Sequence, residues 1–338
     1  MSTLAKLITG RRSIPINGMA QFANAPVLYT DALDQTWLKA GNVDTDTASY
    51  PDALTGLVPG EVDSAVYVDD FQTPDSSLTG QHVTDVFISE SGTKMYTSAA
   101  RYGRIYEYDM SIPFDLTTAV YNDKVNTGIS SIMSMWFNPE LTKLYVSDDI
   151  GDDIEQWTLS TPGNITTATK DSISLNMGSV LADCRGMYMT NDGFTMYIMR
   201  MQGYVYRWDL STAWDISTAV YSAPYYTATE VSTNGATGLS FNDDQSTMYI
   251  SCQIQDKVFQ YELSTPGDVT TAVYSSKSYA FASPATTGNP YGLAIVDGGN
   301  KMFITGYLTK VYSYTLGTPG VGIYNDEGLE PDTYVRVK

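Results

Sequence analysis

One motif returns along this chain and decides what the chain can fold into. Leu263-Ser-Thr-Pro-Gly-Asp-Val-Thr-Thr-Ala-Val-Tyr274 is a full copy. Met110-Ser-Ile-Pro-Phe-Asp-Leu-Thr-Thr-Ala-Val-Tyr121, Leu159-Ser-Thr-Pro-Gly-Asn-Ile-Thr-Thr-Ala-Thr169 and Leu210-Ser-Thr-Ala-Trp-Asp-Ile-Ser-Thr-Ala-Val-Tyr221 repeat it. Fragments stand near both ends, Leu57-Val-Pro-Gly-Glu-Val-Asp-Ser-Ala-Val-Tyr67 and Leu316-Gly-Thr-Pro-Gly320. A motif at a near-constant interval marks one supersecondary unit stacked on copies of itself.

Each unit carries three further apolar segments. The first includes Asp85-Val-Phe-Ile88, Ser134-Met-Trp-Phe137, Gly186-Met-Tyr-Met189, Gly238-Leu-Ser-Phe241 and Gly292-Leu-Ala-Ile295. Turn formers follow, such as Asn191-Asp-Gly193 and Asp297-Gly-Gly-Asn300. Next come Lys94-Met-Tyr-Thr97 and its counterparts, then segments such as Arg104-Ile-Tyr-Glu-Tyr108 and Lys257-Val-Phe-Gln-Tyr261. Val, Ile, Thr and 26 tyrosines with Gly and Asx turns between them predict strands throughout. The second-segment aromatics Tyr96, Tyr145, Tyr197, Tyr249 and Phe303 fall about 50 residues apart, the size of a four-stranded propeller blade.

The expected fold is all-β: a five-bladed β-propeller, with the Ala-Val-Tyr segment as the outer strand of each blade. The fifth unit stops at Gly320 before its outer strand, and the missing piece is present at Ala65 to Phe71. That early strand is expected to complete the last blade, joining the ends of the ring and removing two open sheet edges. The domain division that follows is an extended N-terminal docking arm over 1–56, the propeller over 57–320 and a C-terminal tail over 321–338. The arm, with Pro15, Pro26 and Pro51 among short apolar pieces, has too little periodic apolar sequence for a core of its own. Trp37 and Leu38 in the arm, and Tyr334 and Val335 in the tail, are the candidate assembly contacts, the tail as a strand added to a neighbour.

Composition narrows the function classes. A formal net charge of -19 repels phosphate backbones and anionic membranes, so nucleic acid is not an expected partner. No apolar run is long enough for a membrane span. Cys184 and Cys252 lie at different repeat positions and read as two free, buried thiols rather than a disulfide framework. The N-terminus, Met1 to Arg12, has neither the charge order nor the apolar length of a signal peptide.

Chemistry has few places to sit. Glycoside hydrolysis needs two carboxylates at a set separation. The aligned axial positions are Asp85, Ser134, Gly186, Gly238 and Gly292, and only Asp85 is acidic. The ring two residues on is Phe87, Trp136, Tyr188, Ser240 and Ala294, and the ring before is Thr84, Met133, Arg185, Thr237 and Tyr291. No acid/base pair emerges, and small residues there suit strands that approach closely. The one histidine, His82, has no triad or zinc pattern around it and reads as a loop residue. The acidic run Asp148-Asp-Ile-Gly-Asp-Asp153 offers oxygen ligands for calcium, but it sits at a hairpin and lacks the EF-loop spacing. No catalytic residue, cofactor or metal is expected. Tyr102, Phe114, Trp214, Tyr225 and Tyr226, in blade turns or beside them, are the candidate surface or glycan contacts.

The repeat typified by Gly238-Leu-Ser-Phe-Asn242, Thr247-Met-Tyr-Ile250, Val258-Phe-Gln-Tyr261 and Leu263 to Ala272 resembles propeller-like repeats in virion proteins of tailed bacteriophages, marine ones especially, and in some bacterial surface proteins. This resemblance covers about residues 57–320. Thr36-Trp-Leu-Lys-Ala-Gly-Asn-Val43 with Tyr50-Pro-Asp-Ala53, and Tyr334 to Lys338, resemble segments of such phage structural proteins. The resemblance implies a non-enzymatic virion structural protein, tail-associated or elsewhere on the particle surface, assembled in the host cytoplasm. Its implied partners are other virion proteins, copies of itself in a homo-oligomer, and a host surface polysaccharide or receptor. A glycan-binding lectin-like propeller and, last, a polysaccharide-active enzyme are the alternatives.

Overall fold

The computed structural model describes residues 27–30, 35–38, 61–73, 82–177, 183–281, 289–306, 309–317, 321–324 and 332–335. Among these residues the regular structure is strand, with single 3-10 turns and no α-helix. The chain divides into two compact units. One is Gly60–Leu316; the other gathers both termini, Met1–Pro59 and Gly317–Lys338.

Among its described residues the terminal unit contains two hairpins. Strand β1 (Val27–Thr30) pairs with β2 (Gln35–Leu38). The unit Gly60–Leu316 opens with β3 (Val66–Gln72). Blade 1 is β4 (Val83–Ile88), β5 (Lys94–Ala99), β6 (Arg104–Met110) and β7 (Ala119–Asn126). Blade 2 is β8 (Ile132–Phe137), β9 (Lys143–Asp148), β10 (Asp153–Leu159) and β11 (Ala168–Asn176). Blade 3 is β12 (Cys184–Met189), β13 (Thr195–Arg200), β14 (Tyr204–Leu210) and β15 (Ala219–Thr227). Blade 4 is β16 (Ala236–Phe241), β17 (Thr247–Cys252), β18 (Lys257–Leu263) and β19 (Ala272–Ala280). Blade 5 has β20 (Leu293–Val296), β21 (Lys301–Thr305) and β22 (Lys310–Thr315), and takes β3 as its outer strand.

The expected closure is therefore present: β22 and β3 pair antiparallel, with Tyr314 opposite Tyr67 and Lys310 opposite Gln72. Inner strand β20 lies beside β4 as each inner strand lies beside the next, so the ring is complete. In the terminal unit β23 (Val321–Tyr324) pairs with β24 (Asp332–Val335). The tail strand thus has one partner inside its own chain. This pairing takes up one edge of β24.

Each letter of the recurring motif has a structural task. Asp115, Asn164, Asp215 and Asp268 cap a 3-10 turn, accepting from the N–H two residues on. The next residue, Leu116, Ile165, Ile216 or Val269, is buried. Thr118, Thr167, Thr218 and Thr271 donate their hydroxyls back to the capping residue's carbonyl at 2.8–2.9 Å, tying the turn shut. The motif leads from the third strand of a blade to its outer strand.

The blades are locked to one another by the same motif. Tyr96 Oη of blade 1 donates to Gly163 O in the blade 2 turn at 2.7 Å. Tyr145 of blade 2 donates to Trp214 O in blade 3 at 2.6 Å. Tyr197 of blade 3 donates to Gly267 O in blade 4. These rings are fully buried, and each contributes about 2–3 kcal/mol of apolar burial. The polar residue of the third strand adds a second lock. Glu107 accepts from Ile165 N, and Gln156 from Ile216 N, each in the next blade.

At the axis the inner strands bulge, with register shifts at Val83/Asp85, Ile132/Met135, Cys184/Gly186 and Ala236/Gly238. A methyl group on Gly238 would lie 2.4 Å from Tyr291 O, and one on Gly292 would lie 2.3 Å from Asp85 Cα. The small axial residues therefore serve close approach of strands, as their type suggests.

Candidate functional site

The inner strands and the turns after them enclose a cup of about 430 Å³ at one end of the propeller axis. All five blades contribute to its lining. Its wall is aromatic because the residue two beyond the axial position is large in three blades. Phe87 meets Trp136 edge-to-face at 5.2 Å, and Trp136 meets Tyr188 at 4.7 Å. The arc continues through Phe241, 4.8 Å from Tyr188. Blades 4 and 5 place Ser240 and Ala294 at the corresponding position, both buried. The Ser240 hydroxyl is occupied by Ile295 N at 3.0 Å. Trp136 is only half-buried, unlike Phe87 and Tyr188.

Above the aromatic arc the turns supply a polar rim. Glu90, Asn191, Asp243 and Asp297 line it. Asn191 of blade 3 donates its amide to Glu90 of blade 1 at 2.9 Å, bridging the opening. Partial burial raises the Asp243 carboxyl above its ordinary pKa, and the nearby charges of Asp244 and Asp297 push it the same way. Burial likewise raises the Tyr188 phenol, helped by Asp243 and Glu90. Three carboxylates and no Lys, Arg or His line the cup among the described residues.

Asp85 is buried below the cup and is not part of its lining. Its Oδ2 accepts from Ser134 Oγ at 2.9 Å and Met135 N at 2.8 Å in blade 2, and its Oδ1 from Val86 N at 2.9 Å. Burial nevertheless dominates and lifts its pKa to about 7. The group ties blade 1 to blade 2 and has no second acid across from it in the axial ring.

The residues expected to meet a ligand are scattered. Of the turn aromatics whose side chains are described, only Phe114 lines the cup. Phe114 and Trp214 are half-buried and cover Gly92 and Gly193 of the neighbouring turn in their own blades. Tyr102 is exposed, with the Arg104 guanidinium 5.0 Å from its ring centroid. Tyr226 is half-buried edge-to-face against Tyr261. The side chains of Tyr225, Trp37, Leu38, Tyr334 and Val335 lie outside the described residues; their backbones belong to β15, β2 and β24. His82 precedes β4 and stacks on Tyr291 at 6.1 Å. Cys184 and Cys252 are free and buried, as expected.

The acidic hairpin is a local turn network. Asp148 Oδ1 accepts from Ile150 N at 3.0 Å, and Asp149 faces Arg185 of blade 3 at 3.6 Å. Among the described residues no group of three His, Cys, Asp or Glu is placed to hold a metal ion. No helix there is long and apolar enough to cross a membrane.

Sequence reasoning aligned Phe87, Trp136 and Tyr188 correctly but did not single them out. The available signal was the break in that ring, large in three repeats and small in two. Of the rim residues, Asn191 and Asp297 stand in the turn segments the sequence marks, where a turn former and a site residue look alike.

No family model matches the chain, and no curated protein matches it. Among solved structures it is similar to the β-propeller domain of Cps50 (Swd1) from Myceliophteria thermophila, at 10% identity and a TM-score of 0.42 over 75% of this chain and 99% of that one. It is also similar to a putative 6-phosphogluconolactonase from Bacteroides uniformis, at 14% identity and a TM-score of 0.44 over 72% of this chain and 68% of that one.

Proposed function

We propose that the chain is a non-enzymatic binding protein of a bacteriophage particle, with the terminal segments docking to the virion and the propeller contacting host surface or neighbouring proteins. The observation that carries the binding reading is the use made of Asp85. Its hydrogen bonds from Val86, Ser134 and Met135 hold strands together, so this axial acid acts as a structural tie. The cup beside it has an aromatic wall and an acceptor rim, the composition of a recognition pocket. The virion assignment rests on the sequence resemblance in the repeats and at both termini.

The test is incorporation. Particles assembled with the full chain are compared with particles assembled with a chain lacking residues 1–56, since Gly60–Leu316 is a compact unit of its own. The expected result is that the shortened chain stays folded but is absent from purified particles. Normal incorporation would overturn the docking role. Depolymerase activity that disappears in Asp85→Asn, with the fold intact, would return the enzymatic reading.

A further inference from the structure

We propose that the axial cup binds an alkylammonium group, held against Trp136 and surrounded by the carboxylates of Glu90, Asp243 and Asp297. This rests on the reading of the propeller as a binding module and names the ligand class of that site.

Three observations converge. First, the cup is a real volume, about 430 Å³, within the range of small-ligand pockets. Second, its wall offers aromatic rings, of which Trp136 and Phe114 are half-exposed, and Trp136 is the indole. Indole is the best aromatic face for a cation. Third, its charged rim is acidic only, and the charged groups that act on Asp243 are the carboxylates Asp244 and Asp297. Carboxylates brought together around one mouth repel, and a cation between them relieves that repulsion.

The donor and acceptor balance separates this ligand from a neutral sugar. Sugar hydroxyls donate and accept, so a sugar pocket needs donors as well as acceptors. The rim is weighted toward carboxylate acceptors: one N–H of the Asn191 amide is taken by Glu90, which leaves its second N–H, the Trp136 indole N–H and the Tyr188 hydroxyl as the side-chain donors of the lining. An ammonium group needs acceptors and π faces alone.

A quaternary headgroup and a lysine side chain share this chemistry, so the experiment carries both. The full-length protein is titrated by calorimetry with choline and with Nα-acetyl-lysine methylamide. The controls are 3,3-dimethylbutan-1-ol, which has choline's shape without its charge, and a panel of neutral monosaccharides. Saturable binding of either cation is expected, with the uncharged isostere weaker by about tenfold or more; the tighter of the two cations identifies the source. Trp136→Ala is expected to weaken binding about tenfold. Asp243→Asn, at an exposed rim position where folding is not at stake, is expected to weaken it severalfold and to flatten its salt dependence. No saturation by either cation up to about 20 mM, a weak limit on the affinity scale, overturns the proposal. So does equal binding of the isostere, or binding of a neutral sugar in place of both cations. Failure here with arm-dependent incorporation intact would remove the ligand and leave the virion reading standing.

Discussion

The backbone N–H of Val62 donates to Gln260 Oε1 at 3.0 Å, across 198 residues of chain. The same bond joins Ile216 to Gln156 in the middle of the ring. Val62 is buried and opens the 3-10 turn before β3, so this contact fastens the closing strand to blade 4. Lys277 and Glu61 form an ion pair at the same seam.

Removing the acceptor at the seam is therefore expected to weaken closure. Gln260→Leu leaves a buried N–H unpaired at a cost of about 1–3 kcal/mol. Gln156→Leu removes the equivalent acceptor inside the ring at a similar cost. The two variants are expected to differ in where the protein opens. Hydrogen exchange at Val66–Gln72 should quicken in Gln260→Leu and stay near wild type in Gln156→Leu. Equal protection of β3 in both variants would show that the seam is no weaker than the other blade contacts.

A second expectation concerns paired turns. In each of blades 1 to 4, the turn after the inner strand touches the turn of the recurring motif, and one residue of the pair is glycine. The pairs are Gly92 with Phe114, Leu141 with Gly163, Gly193 with Trp214, and Gln245 with Gly267, each joined by a backbone hydrogen bond of 2.9–3.0 Å. All eight have positive φ. A methyl group on Gly193 would lie 2.5 Å from the Trp214 indole, so Gly193→Leu alone is expected to cost about 2–4 kcal/mol. Adding Trp214→Gly reproduces the blade 2 arrangement. The double variant is expected to recover at least about 1 kcal/mol relative to the sum of the single changes. A double-mutant cycle in denaturant reads this coupling directly, and additive costs would refute the pairing.

The blade count and the closing strand were legible because they depend on repeat spacing and on a missing segment, both of which are sequence properties. The axial glycines were legible because only a small side chain permits the approach seen at Gly238 and Gly292. The pairing of Gly193 with Trp214 was not, since a turn aromatic looks the same whether it faces solvent or covers a glycine in another turn. The cup was hidden for a related reason. Trp136 and Asp243 belong to different blades, and only the closed ring brings the aromatic arc and the acidic rim together. The self-paired tail strand depends on partner choice between equally short strands, which propensity does not decide.

The tyrosine lock gives a smaller, sharper expectation. Tyr145→Phe keeps the buried ring and removes only the hydroxyl that holds Trp214 O at 2.6 Å. The expected loss is about 1 kcal/mol. Phe303 shows that the ring position accepts phenylalanine in blade 5. A loss several times larger would mean that the hydroxyl organises the whole blade 3 turn.

Asp85 carries the pH dependence of the axis. Burial raises its folded pKa to about 7, against the ordinary 3.8 of an exposed aspartate. Between those two values the folded protein holds a proton that the unfolded chain has released. Raising the pH through that window therefore draws the equilibrium toward the unfolded state, and Asp85 makes the protein less stable at pH 7.5 than at pH 4.5. The hydrogen bonds from Met135, Ser134 and Val86 oppose the effect by favouring the charged form, and burial outweighs them. Asp85→Asn retains an acceptor for the blade 2 donors and removes the titration. Other carboxylates contribute their own slopes, so the informative quantity is the wild-type minus variant difference in unfolding free energy at the two pH values. That difference is expected to fall by a few kcal/mol from pH 4.5 to 7.5 and to change little above pH 8. A difference that stays constant across this range would mean that Asp85 is charged throughout, with its three donors outweighing its burial.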